Sequence, residues 1–580
     1  MLVTRSGRLA VLVSVVIAVT LLTGGVAPRG ASAADTPAPP KLLVLVVFDQ
    51  MRGDYPLRWH DLFCADGFRR LEREGTWFTN CHYAYGITYT GPGHASIATG
   101  CSADRHGIIN NEWWDRSVGA SVSCAAEPRY QPVYSVPPPP DKRSAQDKDK
   151  ETAKGFGSPG RLLAPTIGDV VKQVTGGRGK VVGLSFKDRS ALLPVGRQPD
   201  ACYWFDLRSG QFVTSTYYRD TPHAWVREFN RGRPADQWIG RDWTRLRDDV
   251  DYVRWAGPDD APGEGVGVAK KQGRVFPHPM SAGLTQPAKE YYDTVEASPF
   301  GNQLLLDLAV RAIEAEQLGK DEVPGLLTIS FSSNDLVGHT YGPDSQEVLD
   351  ITLRSDLIVR DILSALDHAV GRGRYLFAMT ADHGVAPVPE QSVREGRDAR
   401  RVDPKAVREA ANEHLSRLFG APGTNWILNE NFPWTYLNDK VIAARGLKLA
   451  DVAEALAAWF RTQPYVVAAY TRNNLEGDAG TLDEFGRMIK KSYHPDRSGD
   501  VAMVAKPYYL VTTYPTGTGH GTPYAYDRHV PLLFLGPGVP TGRSEEAVTP
   551  QSIAAVFARA IGAKPPALAE APVPRRLSGE

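Results

Sequence analysis

The sequence predicts an α/β protein: a mostly parallel central sheet flanked by helices, with an inserted subdomain and a small α+β cap. Three observations carry this. Apolar runs of strand length recur at residues 41–48, 180–186, 325–332 and 375–380, and a run apolar at every position is buried on both faces, as parallel strands are. Helical patterns alternate with these runs, at 165–174 and 302–318 and again at Leu349, Leu353, Leu357, Ile358, Ile362 and Leu366, which share one face. Each run also ends in chemistry: Asp49, then Lys187-Asp188-Arg189, then Asn334-Asp335, then Asp382-His383. The carboxyl edge of a parallel sheet is where α/β proteins place their sites.

The chain has 580 residues, 42% hydrophobic and 23% charged, the composition of a globular protein. Arg5 and Arg8 precede an apolar run at 9–22, and Ala31-Ser32-Ala33 follows. That is the pattern of a signal peptide over residues 1–33, with a run short for a membrane span. The expected mature protein, 34–580, is periplasmic or secreted, with no stable membrane insertion once the leader is cleaved. Cleavage would remove Arg5, Arg8 and Arg29 and no acids, leaving a net charge of −3 from the balanced 66 bases and 66 acids. A slightly acidic surface argues against nucleic-acid partners. Cys64, Cys81, Cys101, Cys124 and Cys202 are odd in number and lack the C-x-x-C spacing of a zinc knuckle; in an oxidising compartment some could pair.

The first run ends at Asp49. Further on, T-Y-T-G-P-G-H places Thr90 before Gly91-Pro92-Gly93 and a helix-capable stretch. Thr90 reads as the N-cap of that helix, its hydroxyl beside unsatisfied N–H groups that attract anions. An aromatic loop at 107–115 carries Asn110 and Asn111, and the charged run 141–154 reads as an exposed loop. The irregular stretch at about 203–298 reads as an insertion. Residues at about 400–500 read as the α+β cap, and 530–535 as a last strand. Between them lies Gly517-Thr518-Gly519-His520-Gly521.

Asp49, Asp335, His339, Asp382, His383 and His520 are carboxylates and imidazoles in about the number two metal ions require. Asp335 and His339 stand four apart, so one helical turn aims both at one ion. Mixed nitrogen and oxygen ligation favours zinc, with manganese or iron as alternatives.

These residues resemble the alkaline phosphatase superfamily, specifically its bacterial periplasmic members with a Thr nucleophile. The motifs are V-F-D-Q-M-R at Asp49, T-Y-T-G-P-G-H at Thr90, I-I-N-N-E-W-W-D at Asn111, K-D-R at Lys187, N-D-L-V-G-H at Asp335, A-D-H-G at Asp382 and G-H-G-T-P-Y at His520. The resemblance implies two Zn²⁺ ions, one on Asp335, His339 and His520, the other on Asp49, Asp382, His383 and Thr90. It also implies a phosphothreonine intermediate at Thr90, with Asn111, or the adjacent Asn110 in its place, and Lys187 and Arg189 on the phosphoryl oxygens. A Lys charge and an Arg fork suit the dianion of a phosphate monoester, so small-molecule phosphate monoesters are the expected substrates. A phosphodiesterase or nucleotide pyrophosphatase of the same superfamily is the alternative, and a non-enzymatic anion-binding protein a third reading. Thr90-Gly91-Pro92-Gly93 lacks the C/S-x-P-x-R context of a sulfatase.

Overall fold

The computed structural model describes residues 38–140, 155–268 and 271–579. The expected leader at 1–33 and all of the charged run at 141–154 lie outside them. The central sheet has ten strands, and its middle five are parallel, in the order Tyr375–Thr380, Leu42–Phe48, Gly325–Phe331, Val181–Ser185, Ala201–Asp206. Leu42–Phe48 lies in the middle and is buried at every position, which is why its sequence is apolar without alternation. Phe48 pairs with Phe331, Val47 with Thr380, and Ser330 with Ser185. The four chemistry-bearing ends therefore emerge side by side from one edge.

The margins turn antiparallel. Leu532–Leu535 runs against both Tyr375–Thr380 and Thr76–Phe78, and Gln211–Ser215 runs against Ala201–Asp206. This corrects the start of the expected insertion. Ala201–Asp206 and Gln211–Ser215 belong to the central sheet, their burial carried by Cys202, Tyr203, Trp204, Phe205 and Phe212 rather than by an aliphatic run. Beyond them, short helices and a two-strand pairing of Asp242–Trp243 with His278–Pro279 fill the stretch up to the long helix Pro299–Ala315.

In the cap, Ile427–Asn431, Trp434–Leu437, Val501–Ala505 and Val466–Thr471 form a four-stranded sheet. Helices Pro404–Leu418 and Leu449–Thr462 pack with it around Trp426, Leu456 and Phe460, an apolar cluster separate from the main core. All five cysteines are free thiols. None of the described helices is long and apolar enough to cross a membrane.

Candidate active site

The metal-type residues converge because each sits within a few positions of a strand end or on a loop folded over that edge. The Asp49 amide donates to the Phe331 carbonyl at 3.0 Å, continuing the strand ladder by one step. The chain then turns sharply at Gln50, whose φ is 69°. Next door, helix Ser333–Tyr341 begins directly after its strand, and its geometry stacks Asp335 and His339 one turn apart. His339 Nε2 lies 3.1 Å and His520 Nε2 3.6 Å from Asp335 Oδ1. His383 Nε2 is 3.4 Å from both Asp49 Oδ1 and Asp382 Oδ2, and the rings of His383 and His520 stack at 3.6 Å.

Two sets bring their donor atoms within 4.8 Å of one another: Asp335, His383 and His520, and Asp49, Asp382 and His383. Asp49 Oδ1 and Asp382 Oδ2 are buried and accept no hydrogen bond. Buried carboxylate oxygens without donors are costly unless a cation faces them, so the residues fit metal ions. Their electrostatics agree. Burial, then the Asp382 charge, pushes the Asp49 carboxyl well up. Burial also opposes ionisation of Asp335, but His339 and Lys187 overcome it and hold that carboxyl well below the usual range. For His520, burial and then the neighbouring His383 and His339 push the imidazole far down, toward the neutral form a metal ligand needs.

Thr90 opens helix Thr90–Thr99 but does not cap it: Tyr89, extended at φ −111° and ψ 162°, holds the N-cap position. The expected capping position is thereby corrected by one residue, to Tyr89, whose side chain makes no capping bond. The Thr90 hydroxyl faces His383 Nε2 at 3.4 Å. The glycines here answer to crowding. A Cβ on Gly93 would stand 2.3 Å from the Asp382 carbonyl oxygen, so only a bare Cα lets this helix approach the Asp382 strand end. Asn111 Oδ1 accepts the Gly91 amide at 2.7 Å, which fixes the side chain beside Thr90 with its NH₂ still available. Asn110 is committed elsewhere: its Oδ1 accepts the Asn111 amide at 2.7 Å and its Nδ2 donates to the Phe432 carbonyl at 3.2 Å. That carbonyl, in the cap, also accepts the Tyr89 hydroxyl at 3.3 Å.

Lys187 differs from expectation in what it touches. Its Nζ bridges Asp49 Oδ2 at 2.7 Å and Asp335 Oδ2 at 2.6 Å, because two buried carboxylates are the strongest attraction within its reach. Arg189 is more loosely held, with Asp188 Oδ1 at 4.0 Å. Asp188 accepts the Arg189 amide at 2.6 Å, and it stands apart from the metal-type sets.

Sequence reasoning did not find three supporting residues. Gln50 donates from Nε2 to Asp335 Oδ1 at 2.7 Å and from its backbone to Asp382 Oδ1 at 3.1 Å. His94, fully buried, reaches the Thr90 carbonyl at 2.9 Å and Ser330 Oγ at 2.8 Å, with Asp382 Oδ2 at 3.3 Å. Its four-residue spacing from Thr90 was the available signal. Asp527 Oδ2 accepts the Thr522 amide at 2.8 Å and hydroxyl at 2.6 Å, while Thr88, whose carbonyl meets His520 Nδ1 at 2.7 Å, bonds the Thr522 carbonyl.

Carboxylates and imidazoles grouped for metal ions, with a threonine at a helix start and all at the carboxyl edge of an α/β sheet, define a metal-dependent hydrolase. The chain belongs to the type I phosphodiesterase / nucleotide pyrophosphatase family, whose model matches residues 43–529, within the alkaline phosphatase superfamily. Among curated proteins it is similar to alkaline phosphatase PafA of Elizabethkingia meningoseptica, 33% identical over 89% of this chain and 90% of the relative. It is also similar to alkaline phosphatase PhoV of Synechococcus elongatus, 32% identical over 88% of each. Among solved structures, wild-type alkaline phosphatase PafA superposes with a TM-score of 0.84 at 31% identity, covering 92% of this chain and 98% of that one. A PafA variant altered at one threonine, one asparagine, one lysine and one arginine gives 0.83.

Proposed function

We propose that the protein is a periplasmic or secreted alkaline phosphatase that hydrolyses phosphate monoesters through a phosphothreonine at Thr90. The observation that carries this is the Thr90 hydroxyl, facing His383 Nε2 at 3.4 Å, at the junction of the two metal-type sets. Identity to two curated alkaline phosphatases over most of the chain supports the substrate class. A variant of one of them is altered at a threonine, an asparagine, a lysine and an arginine, the four residue types of Thr90, Asn111, Lys187 and Arg189.

Asp335, His339 and His520 would hold one zinc ion, and Asp49, Asp382 and His383, with Thr90, the other. Bound there, the ions supply positive charge that favours the ionised Thr90 hydroxyl and offsets charge on the phosphoryl oxygens. The rest falls to the chain. The helix fixes Thr90 for in-line attack. The Oγ–phosphorus bond forms as the ester bond breaks and the alcohol leaves; water then splits Oγ–phosphorus and releases phosphate. Asn111 presents its NH₂ to a nonbridging oxygen, and the Arg189 fork takes others. Lys187 adds positive charge between Asp49 and Asp335.

A second reading, a phosphodiesterase, is favoured by the family's description and by the engagement of Lys187 with carboxylates. The test is turnover of a chromogenic phosphate monoester, the matching diester and a sulfate ester, with and without chelator. Monoester turnover that chelator abolishes and zinc restores is expected; turnover of none, with metal content verified, refutes an enzyme. The double variant Lys187→Ala, Arg189→Ala should lose monoesterase activity far more than any diesterase activity. Equal loss would remove the pair's role in choosing substrate.

A further inference from the structure

The Phe432 carbonyl, in the turn between cap strands Ile427–Asn431 and Trp434–Leu437, accepts two hydrogen bonds from the active-site side. Tyr89 donates its hydroxyl at 3.3 Å and Asn110 its Nδ2 at 3.2 Å. A carbonyl oxygen has two lone pairs, so one atom can serve both. Each donor immediately precedes a residue with a proposed role at the phosphoryl group: Tyr89 precedes Thr90, and Asn110 precedes Asn111. The bonds close a ring. From the Phe432 oxygen it passes through Tyr89 along the chain to Gly91, whose amide donates to Asn111 Oδ1 at 2.7 Å. It returns through Asn110, whose Oδ1 accepts the Asn111 amide at 2.7 Å and whose Nδ2 completes the circuit at Phe432. Thr90 and the Asn111 side chain belong to one closed circuit, and neither can swing without straining a bond in it.

The cap end of the ring is itself held. Asn431 Nδ2 donates to the Glu112 carbonyl at 3.2 Å, and Asn429 Nδ2, donating to Asn431 Oδ1 at 2.6 Å, fixes which way that amide faces. Asp500, 2% exposed, accepts Arg116 Nη2 at 2.6 Å and the Leu437 amide at 2.7 Å. Arg116 follows strand Glu112–Asp115, and Leu437 ends a cap strand, so a buried charge ties the segment after Asn111 to the cap. At the other end the Tyr89 ring lies 5.3 Å from that of His520, and a Cβ on Gly521 would stand 2.5 Å from Tyr89 Cζ. Crowding there sets the ring and delivers its hydroxyl to Phe432. Asn110 is 6% exposed, so little water is at hand to replace its carbonyl partner, and losing that partner is costly.

We propose that the cap is a working part of the active site: through the Phe432 carbonyl, Tyr89 and Asn110 act as positioning residues that hold the Asn111 NH₂ in fixed register with the Thr90 hydroxyl. This rests on the roles given above to Thr90 and Asn111. Neither Tyr89 nor Asn110 has to touch substrate. A donor already aimed at a nonbridging oxygen stabilises the transition state without reorganising during the reaction. Misplacing such a group by about 1 Å costs about 100-fold, and opening one bond of the ring loosens the donor rather than displacing it, so a loss of about 10-fold is expected.

The test compares the zinc-loaded wild type with Tyr89→Phe, which removes only the hydroxyl, and Asn110→Ala, each alone, together, and combined with Asn111→Ala. Two readouts are taken: kcat/KM for a chromogenic phosphate monoester, and affinity for inorganic phosphate by calorimetry. The second needs no turnover, so a wild type that turns over no monoester counts against the monoesterase reading while phosphate affinity still tests the ring. Each single variant should lose about 10-fold in both readouts at unchanged zinc content and melting temperature. The Tyr89→Phe, Asn110→Ala pair should lose little more than the worse single variant, since either change opens the same ring. In the Asn111→Ala background, Tyr89→Phe should change either readout by less than about 2-fold, because the donor it positions is gone, whereas a packing role would keep its full cost there. Single variants within about 2-fold of wild type overturn the proposal, as do additive losses in either combination or losses in both variants that follow zinc content.

Discussion

Gly93→Ala is a single methyl placed where the nucleophile's helix meets the strand end that carries Asp382. The added Cβ would sit 2.3 Å from the Asp382 carbonyl oxygen, 2.7 Å from its Cβ and 2.9 Å from its carbonyl carbon. Two of the three atoms are backbone, so no rotamer change relieves the contact, and the elements must part by about 1 Å to regain van der Waals distance. Overpacking of this kind costs about 1–3 kcal/mol of stability. The catalytic effect is larger in kind, because Thr90 and Asp382 stand on opposite sides of the gap. A displacement of about 1 Å between reacting groups costs about 100-fold, or about 2.7 kcal/mol of transition-state stabilisation. The assay is kcat/KM for a chromogenic monoester beside zinc content and thermal unfolding, with Gly232→Ala as control, since its nearest neighbour would be 3.3 Å away. Activity within about 3-fold of wild type at full zinc content would refute the reasoning.

Other expectations can be checked in the same preparations. Thr90→Ala should abolish phosphate labelling of the chain and turnover while zinc content stays near that of wild type. His94→Ala should weaken zinc about 10–100-fold, the usual cost of losing a partner behind a ligand, with His94→Gln recovering part of it; zinc titration reads both. Glu264 should contribute to the pH dependence of stability, because its carboxyl is pushed up from 4.5 to about 9 by burial and then by the Glu347 charge. Asp259 and Asp260 reinforce this, while His278 faces Glu347. In the window from about 4.5 to 9 the folded state holds a proton there that the unfolded state has released, so this group's contribution to stability falls as pH rises. Glu264→Gln removes this titration, so a slope of melting temperature against pH unchanged in that variant would contradict it.

The parts of this molecule legible in the sequence were those set by local composition. An aliphatic run specifies a buried strand, and its last residue specifies where the strand delivers chemistry; hence Asp49, Asp335, Asp382 and His383 could be grouped before any coordinate. Ala201–Asp206 escaped because its burial is aromatic and mixed with cysteine, which weakens the strand pattern. Thr90 was displaced by one position because whether residue 89 or 90 is extended depends on packing, not on the Gly-Pro-Gly that follows. Gln50 and His94 are polar residues whose meaning lies in partners far along the chain: Asp335 is 285 residues from Gln50, and Ser330 is 236 from His94. Lys187 was placed at the site, but its hold on two carboxylates follows from which strands are neighbours.

That neighbourhood has a consequence for how the protein matures. Gln50 reaches Asp382 across 332 residues, and His520 reaches Thr88 across 432. A nascent chain therefore lacks the set that includes His520 until that loop is made, although Asp49, Asp382 and His383 are all present by residue 383. Ions that bind only the assembled edge draw the folding equilibrium forward and leave incomplete chains unprotected. Loading of both sets becomes a checkpoint on the whole polypeptide, since a chain truncated before the His520 loop lacks both a donor of one set and the sheet strand Leu532–Leu535.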